Sequence, residues 1–365
     1  MHTPRFYHSK AALPKGARVR DTFDGAVDEL FFIEHPAVSK QDSRAPELLK
    51  KFRARRKVSS LWVYYPWLHT AVRIPSQTFY EHLRTARNRN LIRPEEQKKF
   101  RQSIVGVAGL SVGSAVVASL VATGGPRRLK IADPDTIEIT NLNRMRATLA
   151  DVGENKAVVA AQNAWEIDPF AQIEVWDKGI QTETVKKFIT AKPTLDVFVD
   201  EMDDIRMKVE ARLVCKKARI PVVMATDNGD SIIVDVERFD QEPSRPLFHG
   251  RVTLTRAEMA TMTRSQFVAL STRIIDPAHL TTRQQESIRA IGSELAGIAQ
   301  LGTAAALAGA AVSYVVRRIV CGEPLPSGRY SMGCEPTFIP GYLSAREKQK
   351  RTRHTRAFVG GLGAH

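Results

Sequence analysis

Between Ser103 and Ala225, short apolar runs alternate with helical stretches of about ten residues, and no other feature restricts the fold as much. Ser103–Val107, Arg128–Ala132, Gln172–Trp176, Leu195–Asp200 and Ile220–Ala225 read as strands. Ser114–Thr123, Lys156–Glu166, Val185–Ala191 and Met207–Ala218 read as the helices between and after them. Strands that return through helices build an α/β fold with a doubly wound, mostly parallel sheet, which takes ligands at the carboxyl ends of its strands.

The flanks are different. Residues 1–95 read as a small α+β module. It has a basic helix over Ala45–Arg56, an aromatic strand over Ser60–Trp67 that Pro66 stops, and a short helix over Gln77–Arg87. Trp62 and Trp67 are expected in that module's core. Residues 96–335 form the main domain. Within it, the polar stretch 237–292 reads as an insertion or crossover, followed by a long Gly/Ala-rich helix, Ser293–Cys321. Residues 336–365 read as a basic, flexible tail. Of the net charge of +15, the largest share lies in residues 1–103, with 21 Lys/Arg against 10 Asp/Glu. Arg346–Arg356 adds six bases and one acid. Such flanks suit an acidic partner. A nucleic acid is the weaker expectation, because few aromatics interleave the tail. No apolar run suggests a membrane span, and the amino terminus shows no apolar signal stretch, so a cytoplasmic location is expected. The three cysteines, Cys215, Cys321 and Cys334, form no CxxC pair, which excludes a four-cysteine zinc site.

The first strand runs into a turn carrying Gly106, Gly109 and Gly113, where backbone can approach phosphate at a helix amino terminus. Gly109-Leu-Ser-Val-Gly113 also matches a hydrolase nucleophile elbow, with His249 and His279 as formal partners. Downstream, Asp133 closes the second strand where ribose hydroxyls are held. Asp135, Asn141, Arg144 and Lys156 follow, then Asp203 after a later strand. Cations for phosphate charge and a carboxylate for a metal suit ATP with Mg2+.

This pattern resembles the ThiF/MoeB/HesA family of ubiquitin-activating-enzyme-like adenylyltransferases. Asp133, Asp135, Asn141-Leu-x-Arg144 and Gly153-x-x-Lys156 fall in the family's order, and Asp168-Pro169 is also shared. The resemblance spans roughly residues 84–330 and implies a Rossmann-like, ThiF-type fold. It implies that Asp133 binds ribose, that Asn141, Arg144 and Lys156 contact phosphates, and that Asp203 holds magnesium. Arg84-Thr-Ala-Arg87-Asn88 resembles the family's arginine finger, so Arg87, with Arg89 second, is expected to reach a neighbouring subunit's site in a homodimer. The implied reaction is attack of a carboxylate, on a peptide or small carrier protein, at the ATP α-phosphate. The amino-terminal module could then clamp a leader peptide or carrier. The departures are Leu110 and Ser111 in place of glycines, Met145 in place of Gln, and Lys208 in place of Arg. Two other readings stay open: an ATP-dependent tRNA-base dehydratase, and a nucleotide-binding scaffold without catalysis. Cys215 and Cys321 read as buried structural thiols, and Cys334 as the one candidate for reactivity. His249 reads as structural, and Asp227-Asn-Gly-Asp as a candidate substrate loop.

Overall fold

A computed structural model describes residues 3–253, 258–259 and 261–362. Residues 254–257 and 260 of the expected insertion, and 363–365 of the expected tail, lie outside the described residues. The strands are β1 (Arg5–Tyr7), β2 (Arg18–Asp21), β3 (Ser60–Tyr65), β4 (Thr70–Pro75), β5 (Ile104–Ala108), β6 (Arg128–Ala132), β7 (Gln172–Trp176), β8 (Val197–Asp200), β9 (Val222–Asp227), β10 (Ser231–Glu237) and β11 (Gly328–Gly333). The helices are α1 (Phe23–Glu34), α2 (Ala45–Arg55), α3 (Gln77–Thr85), α4 (Pro94–Gln102), α5 (Gly113–Ala122), α6 (Lys156–Ile167), α7 (Val185–Thr190), α8 (Ile205–Ala218), α9 (Arg264–Ile275), α10 (Thr282–Ala290), α11 (Gly302–Cys321), α12 (Glu335–Phe338) and α13 (Ala345–Leu362).

Two sheets result, a four-stranded one ordered β1-β3-β4-β2 and a seven-stranded one ordered β11-β10-β9-β8-β5-β6-β7. In the larger sheet, β7, β6, β5, β8 and β9 are parallel, as the alternating pattern predicts, and β10 and β11 add an antiparallel edge. Side chains alternate between faces. Val105, Val107, Val197, Val199, Val223 and Ala225 pack with α5, α6 and α11, while Ala108, Phe198, Val222 and Met224 pack with α7, α8 and the excursion after β10. Gly106 belongs to this packing. A Cβ there would stand 2.4 Å from Leu195 Cδ1, so its glycine serves strand–helix contact and not a phosphate turn. At Gly309, a Cβ would meet the Ala115 carbonyl oxygen at 2.7 Å, which is why α11 can lie so close to α5. By length and composition α11 could cross a membrane, but 56% of its apolar window is buried here and it serves as a core helix.

Several expectations need correction. β10 is not among the expected strands, and only its last residue, Glu237, falls in the expected insertion; its Asp235 and Glu237 are buried, paired carboxylates within a strand. The long helix begins at Gly302, not Ser293, after an irregular stretch containing Gly292 and Gly297. The tail is not a free segment. Its residues 345–362 form α13, which buries Phe358 and sets His354 and Thr355 against Gln285 of α10. Trp62 is buried in the small module's core, and Trp67 packs against Tyr65 of that module while also contacting Trp165 and donating to Glu166 at 2.6 Å. The module meets the main domain through Asp168, whose Oδ2 accepts from both Arg84 and Arg101.

The antiparallel edge is fixed by a buried ion cluster. Arg212 of α8 has no exposed side-chain surface. Its guanidinium donates to Asp200 at the end of β8 and to Glu237 of β10, and lies over the Phe248 ring at 3.8 Å. Glu237 also accepts the Phe248 amide at 2.7 Å. Replacing Arg212 with Met leaves two buried carboxylates short of their cation. A loss of about 3–5 kcal/mol in urea unfolding is expected, and a loss under about 1 kcal/mol would contradict this account.

Candidate functional site

The carboxyl ends of β5, β6 and β8 enclose a cavity of about 270 Å³. A larger concavity, about 710 Å³, opens at the other end of the sheet by Phe6 and the starts of β5 and β6. The smaller one lies where open α/β sheets take ligands, and it gathers the polar residues.

Its floor is the turn after β5. Gly109 has φ of +86°, and a Cβ would sit 2.2 Å from the Glu201 carbonyl oxygen, so only glycine fits. The Leu110 amide donates to Asp133 Oδ2 at 2.6 Å, and the Asp135 amide donates to Asp133 Oδ1 at 2.9 Å. Asp133 is buried, and that burial raises its carboxyl above the ordinary range against the two amides that favour its ionised form. Each oxygen keeps a lone pair for a hydroxyl. Lys156, the first residue of α6, lines the cavity and donates to Asp135 Oδ2 at 2.9 Å. Asn155 caps that helix by accepting from the Ala157 and Val158 amides, which fixes where Lys156 emerges.

Asp203 lines the same cavity with an exposed carboxylate. Its neighbour Asp204 is committed to capping α8. Pro134, Ile180, Met202 and Met207 give the cavity an apolar side able to take a flat base. Arg144 stands at the rim, donating to Ser111 Oγ at 3.0 Å. Asn141 is buried and accepts the Glu138 amide at 3.0 Å, so it shapes the turn that carries Arg144.

The structure therefore brings Gly109, Asp133, Asp135, Lys156 and Asp203 together, with Arg144 at the rim. It does not bring in Gly106, which lies within β5, or Gly113, which is buried as the first residue of α5. Arg87 is exposed on a short turn after α3 and does not line this cavity. Lys208 turns inward to Asp200 at 3.2 Å. His249 bonds Asp235 through Nε2 and receives Arg245 at Nδ1, a structural place that offers no partner to Ser111. Cys215 is buried, and burial pushes its thiol far up; Cys321 is also buried and shifted upward.

The fold gives two more acids a place here: Glu201, absent from the expected site residues, and Asp227, expected only as part of a candidate substrate loop. Glu201 is buried against the cavity, and desolvation pushes its carboxyl well up. Asp227 ends β9. Its Oδ2 accepts from Gln300 at 3.1 Å and its buried Oδ1 has no partner among the described residues. Burial raises Asp227 to about 6, offset by the Gln300 bond and Arg144 and reinforced by Asp203. Only the fold could bring either to this site, because no motif spacing connects them to Asp133. A carboxyl whose folded pKa is raised contributes stability that is present at acid pH and lost as pH rises through about 6. Asp227→Asn should therefore match wild type in thermal unfolding near pH 4. It should gain on wild type by about 2–3 kcal/mol at pH 8. Equal melting at both pH values would refute the assignment.

Comparisons with known proteins show what the chain is similar to. An uncharacterised Mycobacterium tuberculosis protein, MT1398, is 38% identical over 285 residues, covering 78% of this chain and 38% of that protein. The Bacillus subtilis tRNA threonylcarbamoyladenosine dehydratase is 27% identical over 165 residues, 43% of this chain and 64% of that protein. The chain thus spans less than two thirds of the length of these relatives. A Thermus thermophilus sulfur carrier protein adenylyltransferase is 31% identical over 113 residues, 30% of this chain and 40% of that protein. Among solved structures, Escherichia coli TcdA in complex with ATP aligns with a TM-score of 0.48 at 18% identity, over 68% of this chain and 97% of that one. The sequence profile of the ThiF family matches residues 85–331, which include every residue lining the cavity. The chain belongs to the ThiF family.

Proposed function

We propose that the chain uses ATP to activate a carboxylate, on a peptide or small carrier protein, as an acyl-adenylate. The observation that carries this reading is the shared cavity of Asp133, Lys156 and Asp203 beside the Gly109 turn. Asp133 suits the ribose, the apolar side suits adenine, and Lys156 with Arg144 faces the phosphates. The carboxylate oxygen attacks the α-phosphorus, and the bond to pyrophosphate breaks. Positioning and cationic charge supply most of what that step needs. Magnesium would shield phosphate charge. Asp203 fits it as a single free carboxylate, because such an ion arrives with nucleotide oxygens and needs few protein ligands. Among the described residues there is no cluster of three metal-ligating side chains, so a metal held by protein alone is not part of this reading.

A second reading, a tRNA-base dehydratase, is favoured by the names of several relatives, the Bacillus subtilis protein among them. The scaffold reading predicts no turnover. Calorimetry with ATP and Mg2+ separates these cases from a chain that binds no nucleotide. Wild type should bind, Lys156→Ala about tenfold or more weakly, and Asp203→Asn with reduced dependence on Mg2+. Pyrophosphate exchange should fall by about 10² in Lys156→Ala. No ATP binding by wild type would sink both enzymatic readings, while binding without exchange or RNA modification leaves the scaffold.

Arg87, exposed and outside its own chain's cavity, can act only on a second copy, in a homodimer. Arg87→Ala and Lys156→Ala chains, each inactive alone, should regain about a quarter of wild-type exchange when mixed, because half of the dimers then hold one intact site. No recovery in a mixture shown to exchange subunits would remove Arg87 from the mechanism.

A further inference from the structure

A second concavity, about 650 Å³, lies between α13, the loop before α10 and the ends of β10 and β11. It shares no lining residue with the nucleotide cavity. One wall is a single face of α13: Lys348, Arg351, Thr352, Thr355 and Arg356 recur at the spacing that places helix residues in one row. Lys348 and Arg356 are exposed, and Arg351 lies over the Tyr342 ring at 3.9 Å. None of the three cations has an ion pair among the described residues. Arginines packed inside the main domain behave differently: Arg238, Arg245, Arg251 and Arg329 are each paired with an acid. Three unpaired cations around a concave surface make a site for anions.

The opposite wall selects the kind of anion. β11 is the outermost strand of the sheet, so one main-chain edge lacks a neighbour, and its end, Ser331–Gly333, lines the groove. An extended peptide can add to such an edge. Its same-side side chains recur every ~6.7 Å, and eight residues of α13 span ~12 Å, room for two acidic side chains. A single-stranded nucleic acid wants open stacking surfaces, and the groove's tyrosine is already covered by Arg351.

Groove and cavity open at the same end of the sheet. Asn228, just past β9, and Ser231, which starts the antiparallel β10, line the groove, while the ends of β5, β6 and β8 line the cavity. A segment added outside β11 lies five strand spacings from β5, ~24 Å, which seven or eight extended residues cover. We propose that this groove binds an extended acidic segment of a peptide, placed about seven or eight residues before the carboxylate that the chain activates. The groove stands on its own geometry, whereas the distance to the reacting carboxylate rests on the adenylation reading.

The probe is a fluorescein-labelled peptide with Glu-Asp-Glu, a spacer of about seven neutral residues and a free carboxyl terminus, compared with its Gln-Asn-Gln counterpart and a mixed-sequence RNA. Binding to the full chain is read by anisotropy. The acidic peptide should bind about tenfold or more tightly than the neutral one, and weaken by about tenfold in Lys348→Glu/Arg351→Glu and in Arg356→Glu alone. ATP binding and melting should stay unchanged in these variants, since all three side chains lie outside the nucleotide cavity. Equal binding of the two peptides, or a loss in the variants confined to the RNA, overturns the proposal. Selective acidic-peptide binding without pyrophosphate exchange leaves the groove standing and counts against adenylation of that peptide.

Discussion

Arg212, sealed between Asp200 and Glu237, sets the geometry of the open side of the sheet. Asp200 closes β8, so the cluster fixes where that strand ends and where the loop bearing Glu201 and Asp203 departs. Glu237 closes β10 and holds the Phe248 amide, which lets Phe248 and His249 sit at φ of 49° and 57° while their side chains seal Arg212 and reach Asp235. Asp235 takes Arg329 of β11 as well, and Arg329 caps α9 at the Ile274 and Ile275 carbonyls. Two arginines and three buried carboxylates thus join the parallel sheet, its antiparallel edge and the excursion between them. Buried charge of this kind is costly unless every partner is present, and that makes the arrangement specific.

The same ends of the strands explain why departures from the family's glycine pattern are accommodated. Leu110 stands where a glycine is common, yet its side chain is fully buried in the core and its amide still reaches Asp133. Ser111 replaces another glycine and accepts from Arg144, giving that guanidinium a fixed perch. Met145 packs with Ile137 and Val159 beneath the turn. Lys208 is drawn inward by Asp200, so cationic charge at the cavity falls to Lys156 and Arg144. Within the turn after β5, the glycine that the backbone cannot do without is Gly109.

The sequence was legible where burial follows pattern. β5, β8 and β9 are near-continuous apolar runs and β6 and β7 alternate polar with apolar residues, and their order along the chain dictates the doubly wound topology. β10 was hidden because Asp235 and Glu237 mimic a solvent-facing surface; only the arrival of Arg212 and Arg329 makes them interior. The tail was misread for a related reason. Its composition is that of a solvated segment, yet Phe358 on one face and His354 and Thr355 near it dock α13 onto α10. β2, exposed along its length, has no hydrophobic signal. In the site, Asp133, Asp135, Lys156 and Asp203 share a cavity as their spacing suggested. Gly106 looked like part of a phosphate turn because a packing glycine and a turn glycine are the same letter. Glu201 and Asp227 come from different strands and meet only in the folded sheet.

The amino-terminal module bears on how a peptide could approach. Its contacts run through Trp165, Glu166, Asp168 and Phe170 and through the carbonyls that end α5, all at the amino-terminal end of the parallel strands. Nucleotide cavity and basic groove both open at the other end. A segment held on the module would have to pass the full depth of the sheet, ~17 Å for a five-residue strand, before reaching Lys156. A segment held by α13 needs only to cross neighbouring strands along one edge. Proximity therefore assigns the two basic regions unequal parts. α13 borders a groove at the cavity's end of the sheet, whereas the module meets the sheet at the opposite end.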